Sequence, residues 1–295
     1  MLVIPLSRWQ MKKVKICVPT MNAADLWPEF RTRLREQGIL PDSILILDSE
    51  SIDETPELAR KEGFRVVNIA RKDFRHGATR QRGVELLSDA DVIVFLTQDA
   101  MLATSDAVLK LVAQFDDPKV GAAYGRQFPR KGAGLVEAHA RTFNYPPSSA
   151  VRTLEDAGTL GFKAIFFSNS FGAYRRSALQ SVGGFPLDVN FGEDTVSAAR
   201  LLLAGWKVAY AADAGVYHSH AYSILDECKR YVEIGKLHRE QAWLLERFGG
   251  VRGEGVRFIR SQLNFLWGKS PREIPLALVR AIAKLAGYRV GRLRK

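Results

Sequence analysis

Five short apolar runs, at residues 14–18, 43–47, 65–69, 91–96 and 120–124, alternate with stretches patterned as helix at 24–37, 54–62, 78–87 and 105–115. This alternation constrains the fold more than any other feature, because a strand that is apolar throughout has to be covered on both faces. The intervening helices supply that cover and predict right-handed βαβ units in a mainly parallel, doubly wound sheet. The fourth run leads straight into Thr97-Gln98-Asp99-Ala100. A carboxylate therefore stands just past the end of a buried strand, at the sheet edge where open α/β folds keep their ligands. A second acidic pair, Glu193-Asp194, returns far downstream. One carboxylate holding a metal and another moving a proton is the division of labour this spacing suggests, and the chain reads as an enzyme.

After Gly125 the rhythm breaks. Residues 127–159 are rich in Pro, Gly, Ser and Arg and predict long loops, with a mobile flap near the site. Residues 164–174 predict a further strand, 175–182 a short helix ended by Gly183-Gly184, and 195–204 a helix closed by Gly205. Two strands are expected at 206–211 and 215–217, and one long helix at 223–248. The last 45 residues predict two more helices split at Ser270-Pro271.

The 295 residues carry a net charge of +11, but eleven Lys and Arg against Glu254 and Glu273 put +9 of it after residue 250. The rest of the chain is almost neutral, unlike a nucleic-acid binder with basic and aromatic residues spread over a folded face. No apolar run reaches the 18 residues of a spanning helix. The N-terminal MLVIPLS lacks the basic and small-residue features of a signal peptide, and Met11 is an alternative start. Two cysteines, Cys17 and Cys228, suggest buried thiols and no disulfide framework. The expected location is cytoplasmic.

Several motifs fall in a definite order. The first is Val14-Lys-Ile-Cys-Val-Pro19-Thr20-Met-Asn22, and the next is a strand ending Asp48-Ser-Glu-Ser51-Ile-Asp53-Glu-Thr55. Phe74-Arg-His76-Gly77-Ala-Thr-Arg80-Gln81-Arg-Gly83 opens a helix, followed by Thr97-Gln98-Asp99, Ser168-Asn-Ser-Phe-Gly-Ala-Tyr-Arg-Arg176, Gly192-Glu193-Asp194 and His218-Ser-His220. Over residues 14–220 this series resembles the family 2 glycosyltransferases, in particular the bacterial rhamnosyltransferases. The resemblance implies the GT-A fold, a Rossmann-like mixed sheet flanked by helices. It also implies a nucleoside-diphosphate sugar donor and inversion at the anomeric carbon. Residues 1–220 would form the catalytic domain and 221–295 a basic, helical C-terminal extension.

On that resemblance Pro19, Thr20, Asn22, Asp48, Ser51 and Asp53 face the donor nucleotide, a carboxylate at Asp48 accepting from a base N–H or a ribose hydroxyl. His76 and Arg80 lie at a helix start, where amide groups and the dipole favour a diphosphate, and Gln98 joins this donor set. Gln81 stands where relatives carry Asn. Thr97-Gln98-Asp99 takes the place of a D-x-D motif with its first carboxylate replaced. Asp99 would bind Mg2+ or Mn2+ bridging the donor phosphates, with His218 as a further ligand. Asp194 would be the general base that takes the acceptor proton, and Glu193 would support it or contact the acceptor. Capping of the following helix is the plainer role for either acid.

The terminal segment interleaves Phe258, Leu263, Phe265, Trp267, Ile282 and Leu285 with Arg and Lys, a pattern that suits either a membrane surface or a helical cap on the body. A lipid-linked or free glycan acceptor fits the first of these, on the inner face of the plasma membrane. The donor implied is dTDP-rhamnose, with a UDP-hexose as the alternative. A dehydrogenase is disfavoured because no G-x-G-x-x-G follows the first strand, and a nucleotidyltransferase because its phosphate loop is missing. A non-enzymatic protein attached to membrane or nucleic acid by its basic tail is the remaining alternative.

Overall fold

The computed structural model describes residues 12–250 and 253–293; the first eleven residues, and with them the alternative start, lie outside these. The early alternation resolves into strands β1 (Val14–Thr20), β2 (Ile44–Asp48), β3 (Arg65–Asn68) and β4 (Val92–Leu96). Between them run helices α1 (Trp27–Arg35), α2 (Thr55–Lys61) and α3 (His76–Leu86). The strands lie in the order β3-β2-β1-β4 and are parallel, with Thr20 opposite Asp48 and Cys17 opposite both Leu45 and Phe95. Every residue of β2 and β4 is buried, as a sheet covered on both faces requires. On one face Trp27, Phe30 and Leu34 of α1 are buried, Trp27 meeting Phe64 at a ring distance of 6.1 Å. On the other, α3 comes so close that a Cβ on Gly83 would run into the Cys17 sulfur.

The sheet then turns mixed. It continues through β5 (Met101–Leu102), β6 (Val120–Phe128), β7 (Ala150–Arg152), β8 (Phe171–Arg175) and β9 (Lys207–Tyr217). The full order is β3-β2-β1-β4-β8-β6-β9-β5, with β7 on β9, nine strands among the described residues. β8 is antiparallel to β4, pairing Leu96 with Phe171. The expected α/β class, with a mixed sheet flanked by helices, is what the chain adopts.

Four local expectations change. Residues 127–159 are not all loop: they hold the end of β6, helix α5 (Leu135–Asn144) and β7. Residues 164–174 are strand only from Phe171; before it come the short helix α6 (Ala157–Leu160) and a 3-10 turn at Gly161–Ile165. The stretch expected as two strands is continuous β9, because Ala212–Ala214 stays extended. The helix expected at 223–248 is two, α9 (Ile224–Glu240) and α10 (Ala242–Phe248), broken where Gln241 leaves helical geometry. Helices α4 (Ala107–Ala113), α7 (Arg176–Ser181) and α8 (Glu193–Leu203) complete the sheet region, and α11 (Glu254–Lys269) and α12 (Ile274–Leu293) the C-terminal part.

The chain divides into two compact units. The sheet unit takes residues 1–126, 147–154 and 167–217; the helical unit takes 127–146, 155–166 and 218–295. The helical unit thus recruits two segments from within residues 1–220. It is built on α12 lying along α9. Gly235, Gly287 and Gly291 sit where a Cβ would strike the Tyr288, Cys228 and Val232 carbonyls, so the backbones approach closely. Glu227 on α9 is then held by Arg280 at 3.1 Å and Lys284 at 3.2 Å from α12.

Candidate active site

The loops leaving β1 and β2 are laced together by short polar side chains. Asp48, only 1% exposed, accepts from Thr20 Oγ at 3.1 Å, from Ser51 Oγ at 2.6 Å and from the Ser51 amide at 2.9 Å. Ser51 Oγ in turn accepts from the Asn22 amide, and Asn22 Oδ1 accepts from the Ile52 amide. Asn22 has φ of +50°, the left-handed region that Asn tolerates better than most residues. Asp53 accepts from the Thr55 amide and hydroxyl and from the Ala24 amide, which lowers its carboxyl below the ordinary range in spite of partial desolvation. Five of the predicted donor residues, Thr20, Asn22, Asp48, Ser51 and Asp53, therefore form one hydrogen-bonded rim at the carboxyl ends of parallel strands, and Pro19 precedes it on β1. Gln98 serves the same rim from β4: its Oε1 accepts from the Met21 amide at 2.7 Å and its Nε2 donates to the Met21 carbonyl at 3.1 Å. A side chain that grips one backbone unit twice sets the spacing of the β1 and β4 ends.

Asp99 lies just past β4, in the turn before β5. The neighbouring strand end is fixed by the Thr97 amide donating to the Ser170 carbonyl at 3.3 Å. Ser170 is next to Asn169, and the Asn169 amide donates to Asp194 at 3.3 Å. The Asp99 turn and the Asp194 carboxylate thus belong to the same end of the sheet, joined by two short steps of backbone.

Glu193 and Asp194 open α8 after Gly192, which has φ of +81° and turns the chain into the helix. The two acids have different surroundings. Glu193 is buried and receives Asn169 Nδ2 at 2.9 Å and Arg80 Nη1 at 3.0 Å. Asn169 is oriented from behind by the Tyr174 hydroxyl at 3.0 Å. Burial alone would raise the Glu193 carboxyl, but the Arg80 and His76 charges and the Asn169 bond outweigh it and hold the group below its usual value. Asp194 is partly exposed and accepts from the Thr195 amide at 2.7 Å. Desolvation and the Glu193 charge push it up to about 7. Two adjacent carboxyls driven in opposite directions are the arrangement acid–base chemistry uses.

Arg80 is buried at 4% exposure, its Nη1 also directed at the His76 carbonyl at 3.2 Å, whereas His76 is exposed. Gly77 sits where a Cβ would hit the Pro186 carbonyl, and Gln81 Oε1 accepts from the Phe185 amide at 3.0 Å. The glutamine that departs from the family pattern thus anchors the loop before α8. Behind it Phe95, Tyr174 and Phe185 pack edge to face at ring distances of 5.0–5.9 Å.

His218 belongs to the helical unit and is buried. Gln127 Oε1 lies 3.1 Å from its Nδ1 and also accepts from Arg141 at 2.8 Å. Arginine can only donate, so the Gln127 atom is the carbonyl oxygen and His218 Nδ1 carries the proton. His220 stacks edge-on at 4.7 Å. Asn169 and Tyr174 lie in the 168–176 motif, where sequence reasoning assigns neither an individual role, and Gln127 is not singled out by it.

Residues 15–183 match the family described as Glycosyl transferase family 2. The chain is 45% identical over 281 residues to the O-antigen chain rhamnosyltransferase RfbN of Salmonella typhimurium, covering 95% of this chain and 90% of the relative. It is 38% identical to the O-antigen chain rhamnosyltransferase WbaN of Salmonella anatum, covering 96% and 90%. Among solved structures, the mannosyltransferase PcManGT from Pyrobaculum calidifontis, in complex with GDP-Man and Mn2+, superposes with a TM-score of 0.64 at 18% identity, covering 94% of this chain and 87% of that one. The rim at the parallel strand ends and the acidic pair opening α8 thus sit in a chain that belongs to glycosyl transferase family 2 and is a glycosyltransferase.

Proposed function

We propose that the protein transfers rhamnose from dTDP-rhamnose to a hydroxyl of a growing bacterial surface glycan, with inversion at the anomeric carbon. The observation that carries the chemistry is the Asp194 carboxylate, held by the Asn169 and Thr195 amides and raised to about 7, beside a Glu193 kept ionised. The rhamnosyl donor and the O-antigen-type acceptor are supported by the names of the two relatives.

In this reading the rim of Thr20, Asn22, Asp48, Ser51 and Asp53 frames the nucleotide base and ribose. Asp48 has three donors in place and one lone-pair position left for a base N–H. Asp194 takes the proton from the acceptor hydroxyl as that oxygen attacks the anomeric carbon opposite the departing nucleotide. On the family resemblance Asp99 would hold a divalent cation, with His218 as a further ligand; carboxylate and imidazole donors suit Mn2+ or Mg2+. Such an ion, when bound, neutralises charge gathering on the leaving diphosphate.

The location proposed is cytoplasmic, with peripheral contact at the inner face of the plasma membrane. No helix of the described residues is long and apolar enough to cross a membrane. Helix α12 exposes Leu278, Val279, Ile282 and Leu285 among arginines and lysines, a composition that favours an anionic interface. The test of the activity is incubation with dTDP-rhamnose and lipid extracts of a cell lacking the enzyme, read as dTDP release and a lengthened glycan. Release from UDP-glucose and none from dTDP-rhamnose would move the donor to a UDP-hexose; release from neither would end the proposal.

A further inference from the structure

Resemblance assigns Arg80 to the donor diphosphate and leaves Glu193 free to touch the acceptor. Their surroundings favour a different use. Both side chains are almost fully buried, at 4% and 6% exposure. The Arg80 Nη1 that meets Glu193 is the same atom that lies near the His76 carbonyl and ring, so this end of the fork is engaged inside the fold. Glu193 Oε1 receives two donors from opposite sides, Arg80 from α3 and Asn169 from the segment before β8. Asn169 is in turn fixed at both ends. Its Oδ1 accepts from Tyr174, and its own amide donates to Asp194.

We propose that Arg80 and Asn169 are positioning residues that seal Glu193 as a fixed, ionised carboxylate touching neither donor nor acceptor, and that Glu193 acts on the reaction only through Asp194. The inference rests on Asp194 being the base. Asn169 is the physical link, because one residue holds the Glu193 side chain by its amide and the Asp194 carboxylate by its backbone N–H. The ionisable groups facing the pair are Arg80 and His76 from α3 and Tyr174 from β8. Tyr174 is pushed well above its ordinary range by burial and stays neutral, so the charge balance lies between Arg80 and the two acids. A sealed negative charge next to Asp194 favours its protonated form and keeps it a stronger base near neutral pH than a solvated aspartate.

The test uses the full-length protein with ¹³C-labelled carboxyl groups, the Asp194 resonance being assigned by its loss in Asp194→Asn. In the wild type that resonance is expected to titrate near pH 7. In Glu193→Gln, which keeps the shape and removes the charge, the midpoint is expected to fall by about one unit or more, and the acid limb of dTDP release from dTDP-rhamnose to move with it. In Arg80→Gln the midpoint is expected to rise, because the Glu193 charge is then unopposed, with KM for dTDP-rhamnose unchanged. An unmoved midpoint in Glu193→Gln would overturn the proposal. So would a raised KM in Arg80→Gln with the midpoint in place, since that is the behaviour of a diphosphate ligand. If Arg80→Gln does not fold, Glu193→Gln decides alone. Retained dTDP release in Asp194→Asn is a separate outcome that removes the base itself.

Discussion

Arg80 Nη1 and Glu193 Oε1 stand 3.0 Å apart in a part of the sheet unit that water scarcely reaches. The contact joins the first turn and a half of α3 to the first residue of α8. Close approach makes it possible: Gly77, one turn earlier on α3, packs its backbone against the Pro186 carbonyl with the Glu193 Cβ nearby. The base-bearing helix is therefore located by a charge pair at one point and by bare backbone at another.

Asp194→Asn is expected to abolish transfer while leaving nucleotide binding intact. The asparagine still accepts the Thr195 amide through its carbonyl oxygen but cannot take a proton. The loss in turnover should be on the order of 10²–10⁴. Initial rates of dTDP release, beside a dTDP melting-temperature shift equal to the wild-type one, check it.

The raised Asp194 also predicts a stability trend. Its ordinary value is 3.8 and its folded value about 7, so between these the folded state holds a proton that the unfolded state has released. This group's contribution to stability therefore falls as pH rises from about 4 to about 7 and levels off above. Glu193, depressed in the fold, contributes in the opposite sense, losing stability only as pH drops through its lowered value. Urea unfolding at pH 5 and pH 7.5 should show Asp194→Asn gaining on the wild type across that window. A constant difference would contradict the assignment.

Gly77→Ala is expected to destabilise by about 1–3 kcal/mol, because the methyl group meets a backbone carbonyl that cannot rotate away. The shift of α3 should also weaken the Arg80 contact. A lower urea midpoint at unchanged slope, with a fall in turnover, is the expected result.

Metal dependence is expected to reside in Asp99. Stabilisation by dTDP should rise on adding Mn2+, and Asp99→Asn should remove that increment while keeping the metal-free shift. Ligand at 100 times its Kd adds about 2.7 kcal/mol, readily seen as a melting-temperature shift. His218→Ala should lose part of the same increment.

Removing residues 251–295 would not give a clean test of membrane contact, since α12 is packed on α9 through Gly287 and Gly291 and holds Glu227. Ile282→Glu acts on the surface alone, as Ile282 is 68% exposed. It is expected to cut sedimentation with vesicles containing phosphatidylglycerol several-fold and to leave turnover of dTDP-rhamnose unchanged. Equal sedimentation of variant and wild type would remove α12 from the membrane proposal.

Much of this protein is written locally. The apolar runs at 14–18 and 91–96 need cover on both faces, so they demand the parallel sheet whatever follows. The motif residues at its carboxyl ends follow from that placement, as Thr20 opposite Asp48 shows. The helical C-terminal part was legible, but not that segments 127–146 and 155–166 join it, because α5 and the short elements at 157–165 enter from the middle of the chain. Nor could spacing tell that Arg80 points inward or that Asn169 serves two acids. Those are contacts between residues far apart in sequence, and the distances and the exclusion of water that set their energies come into being only when α3, β8 and α8 pack together.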